Sequence, residues 1–191
     1  MTRIIAGAHG GRRLTAPTGA QTRPTSDRVR EAFFSALDTM IDLSAARFAD
    51  LYAGSGAVGL EALSRGADHA LLVESDARAA RVIRDNIVAL RIGSAARLVT
   101  ARVAQVLAMP PDGGAYDVVF ADPPYAVTDE EVLQVQQDLL VNGWLSPGAV
   151  VVFERSTRTV VRGASLTWVE GITAERSRRY GETTLWYGRR S

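Results

Sequence analysis

The chain has 191 residues, nearly half of them apolar, a net charge of +1 and no cysteine. That size suits one domain with a normal buried core, and the missing cysteine excludes disulfides, thiolate metal sites and a cysteine nucleophile. No run reaches the length of a membrane span, MTRIIAGAHGG lacks a signal-peptide core, and two histidines are too few for a His-rich site, so a cytoplasmic protein with no metal is expected.

Residues 1–46 form a unit of their own kind. Segments 3–6 and 13–15 flank Gly7, Gly10 and Gly11, which predicts a hairpin. Gln21 to Thr25 is polar, and Pro24 predicts an extended run there. A helix starts near Asp27, capped by Ser26 or Asp27, with Val29, Ala32, Phe33, Ala36, Leu37 and Met40 on one face. From residue 47 to 191, short apolar runs alternate with amphipathic segments, the pattern of βαβ units around a parallel sheet. Strands are expected at 47–51, 69–74, 96–101, 116–121 and 149–154. The 47–51 strand turns through Gly54–Gly59 into a helix ending near Arg65. Further helices are expected at 76–90, where Ala80, Ile83, Ile87 and Leu90 share a face, and at 129–140, with Asp129 as N-cap. Ser146-Pro147-Gly148 reads as a turn. Two more strand-like runs, near 166–173 and 183–187, close the chain, with Arg176 to Tyr180 as a loop between them.

Charge is distributed unevenly. Residues 1–30 carry six arginines against Asp27 alone, residues 31–154 eight against 17 acids, and residues 155–191 eight against three glutamates. Two ends of +5 around a middle of −9 suggest an anionic partner held by the termini. All 22 basic residues are arginine, a bias of composition that also suits phosphate and base contacts.

Two motifs carry chemistry. Asp50-Leu51-Tyr52-Ala53-Gly54-Ser55-Gly56-Ala57-Val58-Gly59 follows the first strand of the main unit, where glycines let backbone approach a ligand and a helix start offers free N–H groups. Gly56 is expected to be a point where any Cβ would intrude on that ligand. Glu74, ending the next strand, is placed to accept from ribose hydroxyls. A G-x-G-x-x-G turn also fits a nicotinamide dehydrogenase. Asp50 favours instead a nucleoside carrying a cationic amino acid, because a carboxylate is awkward beside a pyrophosphate.

The second motif, Asp122-Pro123-Pro124-Tyr125, directly follows the apolar run VVFA and so belongs on the same sheet edge. Two prolines fix the backbone and remove two N–H donors, leaving carbonyls that only accept. The Asp122 carboxylate and Pro123 carbonyl can take both hydrogens of an exocyclic amine. Its nitrogen is thereby drawn toward a tetrahedral shape, with the lone pair aimed at a methyl donor. Tyr125 offers a face on which a flipped-out base stacks. Such a site works by positioning and electrostatics and needs neither metal nor covalent nucleophile. Glu154, ending the fifth strand near this edge, reads as a member of a structural ion pair. Trp144, Trp168 and Trp186 read as packing residues.

With these motifs the chain resembles the class I methyltransferases that carry Asp/Asn-Pro-Pro-Tyr. It is most similar to the bacterial RsmD family, which methylates guanine N2 in small-subunit (16S) ribosomal RNA. The resemblance rests on Arg3-Ile4-Ile5-Ala6-Gly7, on Arg23-Pro24-Thr25-Ser26-Asp27-Arg28-Val29-Arg30-Glu31-Ala32, on DLYAGSGAVGLEALSRGA from Asp50 to Ala67, and on Phe120 to Tyr125. It implies a Rossmann-like seven-stranded α/β sheet with the last strand antiparallel, plus the N-terminal hairpin and helix on the substrate side. It implies S-adenosyl-L-methionine held by Asp50, Tyr52, Ala53, Gly54, Ser55, Gly56, Gly59, Glu74 and Ser75. Thr100-Ala101-Arg102-Val103 has no acidic residue at the usual adenine contact, which leaves main-chain groups of Arg102 and Val103 for the adenine. Catalysis would fall to Asp122, Pro123, Pro124 and Tyr125. The RNA, within an assembling small ribosomal subunit, would meet Arg12, Arg13, Arg23, Thr25, Arg178, Arg179 and Tyr180, the protein acting as a monomer.

Three alternatives stay open. A DNA adenine-N6 methyltransferase shares the second motif but usually has a target-recognition region for which 191 residues leave little room. A protein-glutamine methyltransferase typically has Asn at the position of Asp122 and needs no basic ends. A non-catalytic ribosome-assembly factor would bind cofactor without turnover.

Overall fold

The computed structural model describes residues 2–18, 26–157 and 165–191. A short ladder of β1 (Thr2–Arg3) with β2 (Arg13–Leu14) precedes α1 (Asp27–Leu37), which Ser26 caps by accepting from the Val29 N–H. There follow β3 (Arg47–Leu51), α2 (Ala57–Ser64), β4 (His69–Glu74), α3 (Ala77–Leu90), β5 (Ala96–Thr100), α4 (Val103–Leu107) and β6 (Tyr116–Ala121). The chain continues through α5 (Asp129–Val141), β7 (Leu145–Ser156), β8 (Ile172–Tyr180) and β9 (Thr183–Arg190). The main sheet has seven strands in the order β5-β4-β3-β6-β7-β9-β8. β3 to β7 pair in parallel, and β9 lies antiparallel between β7 and β8. The expected sheet, last strand antiparallel, is therefore the one the chain forms.

Apolar runs such as HALLVE and YDVVFA form strands here because helices cover both faces of the sheet. On one face, Phe33, Phe34 and Leu37 of α1 are buried with Phe48, Val118, Phe120, Val152 and Tyr187. The Phe33 ring lies 4.9 Å from that of Phe120 and 4.8 Å from that of Phe34. On the other face, Leu107 of α4 and Val132, Val135 and Leu139 of α5 pack on Leu51, Val119, Val151 and Phe153. Trp144 stacks on Tyr116 at 5.6 Å, and Trp168 meets Phe153 edge-on, so both are packing residues as expected.

Four local expectations are corrected. Thr128, not Asp129, caps α5: its Oγ1 accepts from the Glu131 N–H while Glu131 accepts from the Thr128 N–H, a reciprocal box. Ser146-Pro147-Gly148 is a bulge inside β7, since Tyr116 pairs with Leu145 but Val118 with Val150; proline is tolerated there because no ladder bond is lost. Residues 166–169 are not a strand. Buried Gln136 takes over the ladder's role for them, donating to the Thr167 carbonyl and accepting from the Val169 N–H. The strand is instead β8, which absorbs the arginine-rich segment expected to be a loop. As an edge strand it needs little apolar alternation, and charge protects its open side.

One buried carboxylate gathers much of the N-terminal segment's hold on the main domain. Glu61 on α2, with no exposed surface, accepts from the N–H groups of Ile5 (2.7 Å) and Ala6 (3.0 Å) and from Arg65 Nε (2.9 Å). Arg30 Nε lies 3.7 Å from it, and Arg30 also donates to Asp27 and to the Arg3 carbonyl. Burial pulls the Arg30 guanidinium below its ordinary value, against the opposing pull of Glu61 and Asp27. Removing one partner of such a pair leaves a buried charge uncompensated. Glu61→Ala is therefore expected to cost about 3–5 kcal/mol in denaturant unfolding; a loss below about 1 kcal/mol would show that the network is dispensable.

Candidate functional site

The register of the parallel strands aligns the motifs. Leu51 pairs with Val73 on one side and Ala121 on the other, and Ala121 pairs with Phe153. One residue further along each strand, at the carboxyl edge, stand Glu74, Tyr52, Asp122 and Glu154. Four residues from four separate stretches of sequence thus occupy one rank across adjacent strands, which are spaced about 4.8 Å apart. The rank spans the point between β3 and β6 where the chain reverses its direction of winding, the usual crevice for ligands of open α/β sheets.

The glycine loop is built for close approach. Glu74 accepts from the Gly54 N–H at 2.8 Å and from the Asp76 N–H at 2.8 Å, which ties the loop to the end of β4. Gly54 has φ +59°, and a Cβ there would meet nothing within 4 Å, so one side of the loop faces open space. Gly56 is different. At φ +80°, its Cβ would point at Leu72 Cδ2 (3.0 Å) and Ile83 in the core, so the expectation that a Cβ there would intrude on the ligand is corrected: it would intrude on the core. Asp50 lies beneath the loop, 1% exposed, and accepts from the Gly59 N–H at 2.9 Å. Burial, aided by nearby Glu74 and opposed by that hydrogen bond, pushes its carboxyl up to about 7. Tyr52 sits at φ +64°, half-buried, and burial raises its hydroxyl to about 12, so it stays a neutral donor. Arg102 spends its N–H on Gln105 Oε1 (3.2 Å) at the head of α4, where Val103 begins the helix.

Beyond Asp122 the loop turns tightly, with the Val127 N–H donating to the Pro124 carbonyl at 2.9 Å. Pro123 is buried and Tyr125 is 59% exposed. Arg155, buried on β7, holds the loop from below, Nη2 donating to the Val127 carbonyl (3.2 Å) and to Asp129 Oδ1 (3.0 Å). An open cleft of about 250 Å³ lies between Tyr125, Val127, Asp129 and Arg155. The arrangement can accept hydrogen bonds at Asp122 beside a stacking face at Tyr125, next to a loop suited to a nucleoside.

The family model Conserved hypothetical protein 95 matches residues 2–189. Ribosomal RNA small subunit methyltransferase D of Escherichia coli (strain K12) is 37% identical over 167 residues, which cover 87% of this chain and 80% of that protein. This chain belongs to the RsmD family. The Haemophilus influenzae protein of the same description is also 37% identical, over 80% of this chain and 77% of its own. Among solved structures, Escherichia coli yhhF superposes with a TM-score of 0.83 at 35% identity, covering 100% of this chain and 98% of that one. A hypothetical protein of Thermus thermophilus gives 0.75 at 31%, covering 98% of each. The fold is that of class I methyltransferases.

In this RsmD family member the basic residues are placed unequally. Arg12 donates to the carbonyls of Ala89 and Leu90 and so caps the end of α3, a structural use not foreseen. Arg13 is exposed on β2. Arg178 and Arg179 are exposed on β8, and Tyr180 is half-buried against the α1 face. The turn after Tyr180 returns to the site's edge, because Thr183 pairs with Ser156. Arg23 and Thr25 lie outside the described residues. Among the described residues no group of three or more His, Cys, Asp or Glu side chains could hold a metal ion, and no helix is long and apolar enough to cross a membrane.

Sequence reading missed Arg155 and Asn86. Buried Asn86 on α3 donates to the carbonyls of Ser55 and Thr15 and accepts from the Thr15 N–H, binding the hairpin to the glycine loop. The signal for Arg155 was a charge inside the apolar run VVVFER; Asn86 gave none beyond its place on a buried helix face.

Asp50 makes stability depend on pH. Between about pH 4 and pH 7 the unfolded chain has released this proton and the folded chain still holds it, so stability falls as pH rises. Asp50→Asn, whose amide oxygen still accepts from Gly59, is expected to gain up to about 3 kcal/mol on the wild type between pH 5 and pH 8. Chemical denaturation at both values checks this, and an equal difference at the two would refute it.

Proposed function

We propose that this chain transfers a methyl group from S-adenosylmethionine to the exocyclic N2 of a guanine in small-subunit ribosomal RNA. The observation that carries the reading is the rank: a nucleoside-type loop with Glu74 on one side and Asp122 on the other. Family membership supports the RNA class, since the relatives' descriptions are of ribosomal RNA small subunit methyltransferases.

The residues present fit the cofactor. The open side of Gly54 is a cradle that a Cβ would fill, Glu74 accepts from ribose hydroxyls, and Asp50 below the loop would ionise as a bound ammonium lowers its raised pKa. The Val103 N–H, at the first position of α4, is left for the adenine because Arg102 gives its own to Gln105. When bound, S-adenosylmethionine supplies a methyl group on a cationic sulfur. Asp122 and the Pro123 carbonyl hold the N2 hydrogens, orienting the amine, while Tyr125 stacks on the base. The surplus proton of N2 passes to Asp122 or to water. Charge is quenched at the sulfur rather than created, so orientation matters more than a strong base. Arg13, Arg178 and Arg179 meet RNA phosphates, and Arg23 and Thr25 are assigned to the same RNA by family resemblance.

Two variants separate the roles. Asp122→Ala is expected to abolish methyl transfer with cofactor affinity within a few fold of wild type. Gly54→Ala is expected to weaken cofactor binding about ten-fold or more, at a folding cost of roughly 1–2 kcal/mol from its left-handed backbone. Calorimetric binding lost in parallel with activity in the Asp122 variant would overturn the assignment.

The whole reading is tested by mapping modified nucleosides in ribosomal RNA from cells with and without the gene. One N2-methylguanosine in the small-subunit RNA should disappear. An unchanged map would refute the function.

A further inference from the structure

Glu154 is the fourth member of the rank, one strand over from Asp122. It follows Phe153, the partner of Ala121, as Asp122 follows Ala121. Alternation along β7 puts Val150 and Val152 on the α1 face, and Glu154 continues that series; Val118 and Phe120 set the same face for β6. The side chain is only 8% exposed, and its Oε1 accepts from Thr183 Oγ1 at 3.0 Å, so β9 fixes its orientation. A largely buried carboxylate near the carboxyl end of β7, in register with the residue assigned to the amine, stands where a second acceptor can meet the same base edge.

Guanine fits two such acceptors. Its Watson–Crick edge presents the N2 amine next to an N1–H, two neighbouring donors, whereas adenine and 2-aminopurine present a lone pair at N1. A carboxylate accepts and cannot donate, so it attracts N1–H and repels an N1 lone pair. We propose that Glu154 reads the N1–H of the target base while Asp122 holds the N2 amine, making Glu154 the specificity-determining residue for guanine. This rests on the guanine-N2 reading above. Two acceptors on adjacent strands match two donors on one base edge, and a wrong base would bury the carboxylate against a second acceptor.

The test compares reconstituted small subunits carrying either guanosine or 2-aminopurine riboside at the mapped position, since both bases keep the 2-amino group. The wild type is expected to prefer guanine by about 100-fold or more in kcat/KM. Glu154→Gln, whose amide can donate to an N1 lone pair, should lose at least about ten-fold on guanine and narrow that preference to within about ten-fold. Cofactor affinity should not change. If Glu154 only braces β9 through Thr183, both substrates will fall together and the unchanged ratio overturns the proposal. Should Glu154→Gln fail to fold by circular dichroism, Thr183→Val keeps the carboxylate but removes the hydrogen bond from Thr183 that orients it; the preference should fall several-fold, and an unaltered preference overturns the proposal. Equal wild-type rates on the two bases overturn it with no variant at all. Methylation of neither base would overturn the guanine-N2 reading itself, and the role of Glu154 with it.

Discussion

A carboxylate with no exposed surface, that of Glu61, holds two backbone N–H groups of the N-terminal segment, the Nε of Arg65 and the flank of Arg30. Taking so many polar groups out of water is costly, and the contacts offset that cost only while all partners stay in place. The hairpin, α1 and α2 consequently meet at this side chain, and Ser64 of α2 adds bonds to Ala6 and His9 of the same segment. Because Gly56 caps the start of α2, whatever fixes α2 also fixes the loop above β3. Asn86 repeats the arrangement on α3, joining Thr15 to Ser55. The side of the protein assigned to RNA and the loop assigned to the cofactor therefore share a scaffold and do not move as independent parts.

Parallel strands covered on both faces read clearly as apolar runs, which is why the expected limits of β3, β4 and β6 match the observed ones. The edge of the sheet did not read clearly. β8 takes its order from backbone pairing with β9, and its three arginines and other polar residues carry no alternation to detect. Leu166, Trp168 and Val169 carry strand-like composition, yet they pack as irregular chain because Gln136, some thirty residues earlier, satisfies their backbone.

In the site, the two motifs were legible because glycine and proline impose their geometry locally. What joins the motifs was not. Arg155 meets Val127 and Asp129 only after β6, α5 and β7 have folded, and Arg12 proved to be a cap for α3 once that helix came alongside. Gly54 and Gly56 are two residues apart in one motif, but only three-dimensional packing reveals that one faces open space and the other faces Leu72.

The shared rank of Glu74, Tyr52, Asp122 and Glu154 bears on how this protein can tolerate changes in chain length. Side chains in a strand alternate faces, so adding or deleting one residue within β3, β4, β6 or β7 turns everything beyond it to the opposite face. One such event would carry a single member of the rank out of line and leave its three companions untouched. Loops at the opposite, amino-terminal edge, such as Met109 to Gly114, lie upstream of a strand whose register is pinned by its neighbours, so a change in their length leaves the rank in place. Insertions and deletions across related sequences should therefore be confined to that edge and to the β8–β9 turn, while the four strands keep their lengths.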